Sequence, residues 1–319
     1  MPSELFDLDR ETFRTLNLVS SKENVAHGIV IILIYTLLSL IASYIDRWWF
    51  WIPIWLYQGF ILSGFLGASH DCAHNTFVKS RSWNRIFGIF WSSTVLFNFS
   101  LYKYYHLNHH RHTHVPGDTE PYGSFRNIWD YICTLPMTGF FFPFWKMSIL
   151  APFKWFPTFI KNRKQRVHVL QDNIGLFIWL FLIISLTFFF PSILLKYYWI
   201  PILIYFPMVF YTSIPEHYDC EEGNDLTKNT RTLESNRLFK YIFWNGNYHA
   251  EHHLYPSIPS HNLEKLHKLV GCRFLVQEKS YFSFHIKMIK GILRQKRDSS
   301  NIIFEPQERI IYKYYKVTK

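Results

Sequence analysis

Apolar residues in this chain gather in long runs, and polar and basic residues gather between them. Four runs approach the ~20 residues a helix needs to cross a bilayer core of about 30 Å. They cover 28–45 (GIVIILIYTLLSLIASYI), 48–67 (WWFWIPIWLYQGFILSGFLG), 174–190 (IGLFIWLFLIISLTFFF) and 193–213. Only Asp46 and Arg47 separate the first two, and Pro191 and Lys196 mark the break between the last two. Connections this short predict two antiparallel hairpins of spans. The second run opens on tryptophans, which favour the membrane–water interface. The fourth is interrupted by Pro201 and Pro207, which spans tolerate when neighbouring helices resatisfy the backbone. Two other apolar stretches, 83–99 and 134–156, carry Pro, Lys or Arg interruptions. They are expected to lie in the interface or to pack against the spans.

Charge orients this arrangement. Of 34 Lys and Arg residues, 32 fall in 1–27, in 68–173 or from 214 onward, and the two hairpin connections hold only Arg47 and Lys196. The positive-inside tendency makes the basic side cytoplasmic. A net charge of +11 alone would admit a nucleic-acid partner. No nucleic-acid motif accompanies it, and anionic headgroups account for the charge. KNRKQR (161–166) reads as a juxtamembrane anchor. Residues 1–27 lack the apolar core of a signal peptide and are expected to form a cytoplasmic arm. The expected organisation is that arm, a membrane and cap domain over 28–270, and a basic cytoplasmic tail over 271–319. Cys72, Cys133, Cys220 and Cys272 are scattered and form no CxxC pair. That argues against a disulfide framework or a thiolate metal site.

Histidine changes the picture most. Ten of the 16 histidines sit in three short motifs on the predicted cytoplasmic side. The first is HDCAH, with His70 and His74. The second is HLNHHRHTH, with His106, His109, His110, His112 and His114. The third is HAEHH, with His249, His252 and His253. Residues three and four apart share one face of a helix. The i, i+4 pair and the two i, i+3, i+4 trios therefore point imidazoles in one direction, as metal chelation from a helix requires. His27, His168, His261, His267 and His285 are isolated and read as solvated or core residues. Eight imidazoles exceed the four ligands of one zinc. They suggest two metals with about four nitrogens each. There is no H-E-x-x-H, so a metalloprotease reading lacks its general base. Imidazole suits iron, zinc, copper and nickel, so ligand type leaves the metal open.

The order and spacing of these motifs resemble the integral-membrane fatty acid desaturase and hydroxylase superfamily, from about Gly64 to His267. GASHDCAHNTF is similar to that family's first histidine box, HLNHHRHTH to its second, and GNYHAEHHLYPSIPSHNLEKLH to its third with its downstream flank. The resemblance implies an all-α membrane protein: four transmembrane helices in two hairpins, with a cytoplasmic helical cap holding a histidine-rich dimetal site. It implies a non-haem diiron oxidoreductase that uses O2 and two electrons to modify a long-chain lipid reached from the bilayer. By match to the boxes, it implies His70, His74, His106, His109, His110, His249, His252 and His253 as iron ligands. IPEHYDC supplies His217 as a ninth. His112 and His114 fall outside the trio and are expected to support rather than ligate. Asp71, Glu216 and Glu251 neighbour proposed ligands and are candidates to orient them through the second ring nitrogen. Asp118 and Glu120 are open to the same role or to solvent.

No haem-binding HPGG, clustered cysteines or GxGxxG occurs in the chain, so its electrons are expected from an external carrier of ferredoxin or cytochrome b5 type. The favoured activity is desaturation of a fatty-acyl chain. A carotenoid ketolase or hydroxylase, or a lipid hydroxylase, is the near alternative. A histidine-rich metal transporter is disfavoured, because it would carry ionisable residues near the middle of its spans.

Overall fold

The computed structural model describes residues 8–45, 47–120 and 125–298, with side chains of the last helix as far as Arg294. Asp46 of the first hairpin connection and 299–319 of the expected tail lie outside the described residues. The chain is almost wholly helical. After a short α1 (Arg10–Leu16), the first two apolar runs become α2 (Ser21–Ser43) and α3 (Trp51–His74). Next come α4 (Arg81–Thr94), α5 (Phe99–His112), α6 (Ile128–Thr134) and α7 (Thr138–Leu150). The third run lies within α8 (Arg163–Phe189). The fourth is one continuous rod made of α9 (Pro191–Leu194), a π-helical turn (Leu195–Trp199) and α10 (Ile200–His217). Then follow β1 (Thr232–Leu233), α11 (Arg237–Ile242), α12 (His249–Leu254), α13 (Ser260–Val270), β2 (Gln277–Glu278) and α14 (Tyr281–Asp298). The two strands are two residues each and pair in parallel.

Among the described residues, four helical stretches are long and apolar enough to cross a membrane. They are not equivalent. α2 and α8 expose large apolar side chains, among them Leu33 at 59% and Phe181 at 74%. In water such exposure would forfeit about 25 cal/mol per Å2; against lipid it costs nothing. α3 and α10 form the inner pair. They approach so closely that a Cβ on Gly59 would lie 2.5 Å from Ile204 Cγ2. Small residues give membrane helices this approach, where packing replaces a hydrophobic driving force.

The helices outrun the apolar segments at the ends that carry the histidine motifs. α8 starts eleven residues before Ile174, at a capping box between Asn162 and Gln165. α3 continues past Gly67 and stops only at Asn75, whose left-handed conformation (φ 62) ends it directly after His74. Asn tolerates that region, and its N–H satisfies carbonyls of the last turn. α2 begins at Ser21, so the end of the expected 1–27 arm forms its first turns. An apolar run marks only the lipid-facing part of a helix, and the polar turns beyond it carry His70 and His74 on α3 and His217 on α10. The 83–99 and 134–156 stretches form α4 and α7, neither long enough to span. α4 packs on α3 and α8, and its Arg85 pairs with Asp172 of α8 at 2.5 Å.

Candidate metal centre

Four helices deliver histidines to one place. α5 is started by Asn98, whose side chain accepts from Leu101 N–H. Its last turns hold His106, His109 and His110. α3 ends on His70 and His74, α10 ends on His217, and the six-residue α12 holds His249, His252 and His253. These nine imidazoles fall into two groups. His70, His74, His106, His110 and His252 form one; His109, His217, His249 and His253 form the other; within each, one ligand nitrogen per residue lies within 4.8 Å of the rest.

The trios divide, although the spacing alone suggested a single direction. His106 and His110 serve the first group while His109 serves the second. His249 and His253 serve the second while His252 serves the first. A helix turns by about 100° per residue. An i, i+4 pair is therefore only ~40° apart, and the i+3 residue points ~60° to the other side. α5 and α12 thus straddle both groups. α3 contributes only to the first, and α10 only to the second.

The nitrogen spacings suit a metal. A divalent first-row ion holds imidazole nitrogens at about 2.1 Å, which sets neighbouring ligand nitrogens about 3.0–3.4 Å apart. In the four-histidine group, Nε2 separations are 3.1 Å for His109–His217, 3.0 Å for His217–His249 and 3.1 Å for His249–His253. In the five-histidine group they are 2.9 Å for His106–His110 and 3.0 Å for His110–His252. The Nε2 atoms of His70 and His74 are buried without a hydrogen-bond partner. Buried polar atoms without partners are costly, and a cation between them removes that cost.

Electrostatics keeps most of these rings neutral. Burial, then the neighbouring imidazoles, hold His106, His110, His249, His252 and His253 well below the usual histidine range. Neutral imidazole is the metal-binding form. His109 is the exception: burial opposes its protonation, but Glu120 and Asp118 outweigh it and raise its pKa.

The groups behind the rings differ from those sequence adjacency suggested. His109 Nδ1 donates to Asp118 Oδ1 at 2.7 Å, and His106 Nδ1 to Glu120 Oε1 at 2.9 Å. Both carboxylates come from the loop after α5. There Gly117 is left-handed (φ 106), as glycine readily is, and His114 adopts φ 59 with its N–H on Asp118 Oδ2. His114 Nε2 lies 3.2 Å from His217 Nδ1, and Thr113 Oγ1 lies 3.3 Å from His253 Nδ1. His112 turns away, its Nδ1 on the Asn108 carbonyl. Of the three adjacent carboxylates, Glu216 lies 3.6 Å from His249 Nδ1 and Asp71 lies 3.8 Å from His70 Nδ1. Asp71 instead accepts from Ser260 Oγ. Glu251 faces the opposite way, accepting from His267 Nδ1 at 2.5 Å and from Thr232 Oγ1. A residue next to a ligand in a helix is turned ~100° from it, so α12 uses Glu251 to hold its back to α13 and β1. His267, read as isolated from the sequence, is that anchor's partner. Of the other isolated histidines, His27 stacks on Trp244, while His168 meets Tyr104, His261 meets Asn24 and His285 meets Tyr211 and Tyr131.

Comparison with known proteins agrees with this geometry. Residues 46–284 match the family model described as fatty acid desaturase. The chain is 26% identical over 254 residues to an sn-1 acyl-lipid omega-3 desaturase (ferredoxin) of Nostoc sp. (strain 36), covering 73% of this chain and 71% of that one. It is 23% identical over 323 residues to an acyl-lipid omega-3 desaturase (cytochrome b5) of the endoplasmic reticulum of Arabidopsis thaliana, covering 87% and 80%. A shorter match, 33% over 84 residues and 24% of each chain, is to an sn-1 oleoyl-lipid 12-desaturase of Anabaena variabilis.

Proposed function

The chain belongs to the fatty acid desaturase family of oxidoreductases, and on that premise we propose that it introduces a double bond into the fatty-acyl chain of a membrane lipid. The observation that carries this reading is the pair of imidazole groups joined by α5 and α12. Two irons are the proposed occupants. His70, His74, His106, His110 and His252 would hold one, and His109, His217, His249 and His253 the other. All-nitrogen shells suit ferrous iron among other metals, and it is the family that favours iron. When bound, such a pair supplies activation of O2 and removal of hydrogen from an unactivated C–H bond. The overall reaction balances as –CH2–CH2– plus O2, two electrons and two protons giving –CH=CH– and two waters.

The chain's own residues prepare that chemistry. Asp118 and Glu120 hold the Nδ1 protons of His109 and His106, which turns their Nε2 lone pairs inward. His114 and Thr113 do the same behind His217 and His253. Glu251, bonded to His267 and Thr232, fixes α12 on α13 and β1. The bilayer delivers the lipid substrate to the cytoplasmic end of the inner helix pair, where α3 and α10 both end in ligands.

Electrons would come from an external carrier; the relatives named above carry ferredoxin or cytochrome b5 in their names. In this reading the termini and the metal centre are cytoplasmic, as the distribution of Lys and Arg indicates. The domain organisation stays as proposed from the sequence: an N-terminal arm, a membrane and cap unit, and a C-terminal segment. Lipid profiling of a host with and without the gene tests the activity. A new acyl double bond is expected. A new keto- or hydroxy-carotenoid with unchanged fatty acids would overturn the substrate.

A further inference from the structure

The C-terminal segment was expected to be a basic tail, yet α14 has three distinct faces. One is buried: Tyr281, Phe284, His285, Met288 and Ile292. It docks on the cytoplasmic part of α10, where Phe284, Met288 and Ile292 cluster with Phe210. His285 makes that docking specific. Pro215 has no N–H, so the Tyr211 carbonyl four residues before it loses its helical partner. His285 Nε2 donates to that carbonyl at 2.9 Å, and its ring stacks on Tyr211 at 4.7 Å.

The second face is apolar and uncovered. At about 100° per residue, Phe282, Ile286, Ile289 and Leu293 fall within a stripe about 60° wide. Phe282 is 69% exposed, Ile286 37% and Leu293 51%, while Ile289 between them is half-buried. The third face carries exposed Lys287, Lys290 and Arg294 beside that stripe. Lys287 is engaged by Glu278, at 2.8 Å and 3.0 Å, while Lys290 and Arg294 sit one turn apart.

Depth identifies what covers the apolar stripe. Tyr211 lies six residues before His217 on α10, or about 9 Å nearer the membrane interior at ~1.5 Å per residue. α14 therefore rests at the boundary between the span and its cap. Its neighbour α6 exposes Trp129 and Ile132, and Leu203 of α10 is exposed further down. The uncovered stripe thus continues the lipid-facing surface, with cations at its edge as an interfacial helix requires. We propose that α14 is a membrane-surface helix: Phe282, Ile286, Ile289 and Leu293 enter the acyl–headgroup boundary, and Lys290 and Arg294 bind anionic lipid phosphates.

The test uses the full chain in lipid nanodiscs, with Cys133, Cys220 and Cys272 changed to Ser and Cys72 left buried. Single nitroxide labels are placed through Ile286→Cys, Leu293→Cys, Gly291→Cys and Arg294→Cys. At 286 and 293, dissolved O2 should relax the label several-fold more effectively than a water-soluble nickel chelate, and the preference should reverse at 291 and 294. Equal access of the chelate to 286 and 291 would overturn the proposal. So would exclusion of both reagents from 286 and 293, which would mean a protein cover. The second measurement compares Tm in phosphatidylcholine with and without phosphatidylglycerol. The wild type should gain Tm from the anionic lipid, and Lys290→Glu/Arg294→Glu should lose at least half of that gain. No gain in the wild type, or an undiminished one in the variant, would overturn the headgroup contact.

Discussion

The two halves of the metal centre use the same side chain but support it differently. In the four-histidine group all members are buried. Asp118, His114 and Thr113 meet the Nδ1 atoms of His109, His217 and His253, and Glu216 stands 3.6 Å from that of His249. In the five-histidine group only His106 and His252 are buried. There, among the described residues, Glu120 on His106 is the one carboxylate at hydrogen-bond distance from a ring nitrogen. A ring locked from behind loses little freedom on binding a metal. A ring that is free behind loses more but can shift during a reaction. On the proposed reading, the four-histidine group would retain an ion more firmly and the five-histidine group would adapt around one.

Removing a ligand tests that contrast most severely. His253→Ala and His74→Ala should each cost more activity than the ~100-fold seen for groups behind a ligand. Each should also lower the metal content of purified protein by one ion while the other group keeps its own. Elemental analysis checks this, and loss of both ions from His74→Ala alone would show that the groups are not separable. Next come the carboxylates. Asp118→Asn and Glu120→Gln should each weaken metal binding by about 10–100-fold. The Asp118 change should be the larger, because His109 is fully buried against a 2.7 Å bond while the Glu120 side chain is 27% exposed. Chelator competition on the two variants measures the order, and a larger effect at Glu120 would break the comparison.

Acid gives a smaller, graded effect. Histidines of the unfolded chain titrate near about 6.5, whereas His106, His110, His249, His252 and His253 are held below that in the fold. Below that pH the unfolded chain binds more protons, so the metal-free protein should lose stability as pH falls. His109, raised by Glu120 and Asp118 against burial, and His267, raised by its hydrogen bond to Glu251, work in the opposite sense but are two groups against five. Thermal melts of metal-free protein between neutral and mildly acid pH check the sign. The smallest effect is expected from the two remaining histidines of the second motif. His112→Gln should leave metal content unchanged. His114→Phe should lower only the four-histidine group's affinity, by less than Asp118→Asn does.

Much of this centre was legible because helices have a fixed period. Two H-x2-H-H trios and one H-x3-H pair marked imidazoles that helices could gather in one place, and the apolar runs marked the inner helices that carry three of the nine. His217 lacked a motif and was readable only through the resemblance. The division of each trio was not legible, since it depends on how α5 and α12 face each other. The supporting carboxylates were least legible. Asp118 and Glu120 reach back nine and fourteen residues through a loop whose course depends on left-handed His114 and Gly117. Glu251, directly before His252 in sequence, points to His267 instead. Helices that continue beyond their apolar runs, and the three faces of α14, likewise emerge only from packing.

Metal analysis of the whole chain, purified after iron-replete expression, decides whether the two imidazole groups hold iron. Two irons per chain are expected, falling to one in both His74→Ala and His253→Ala. Protein that folds, keeps all nine histidines and contains no iron would contradict it.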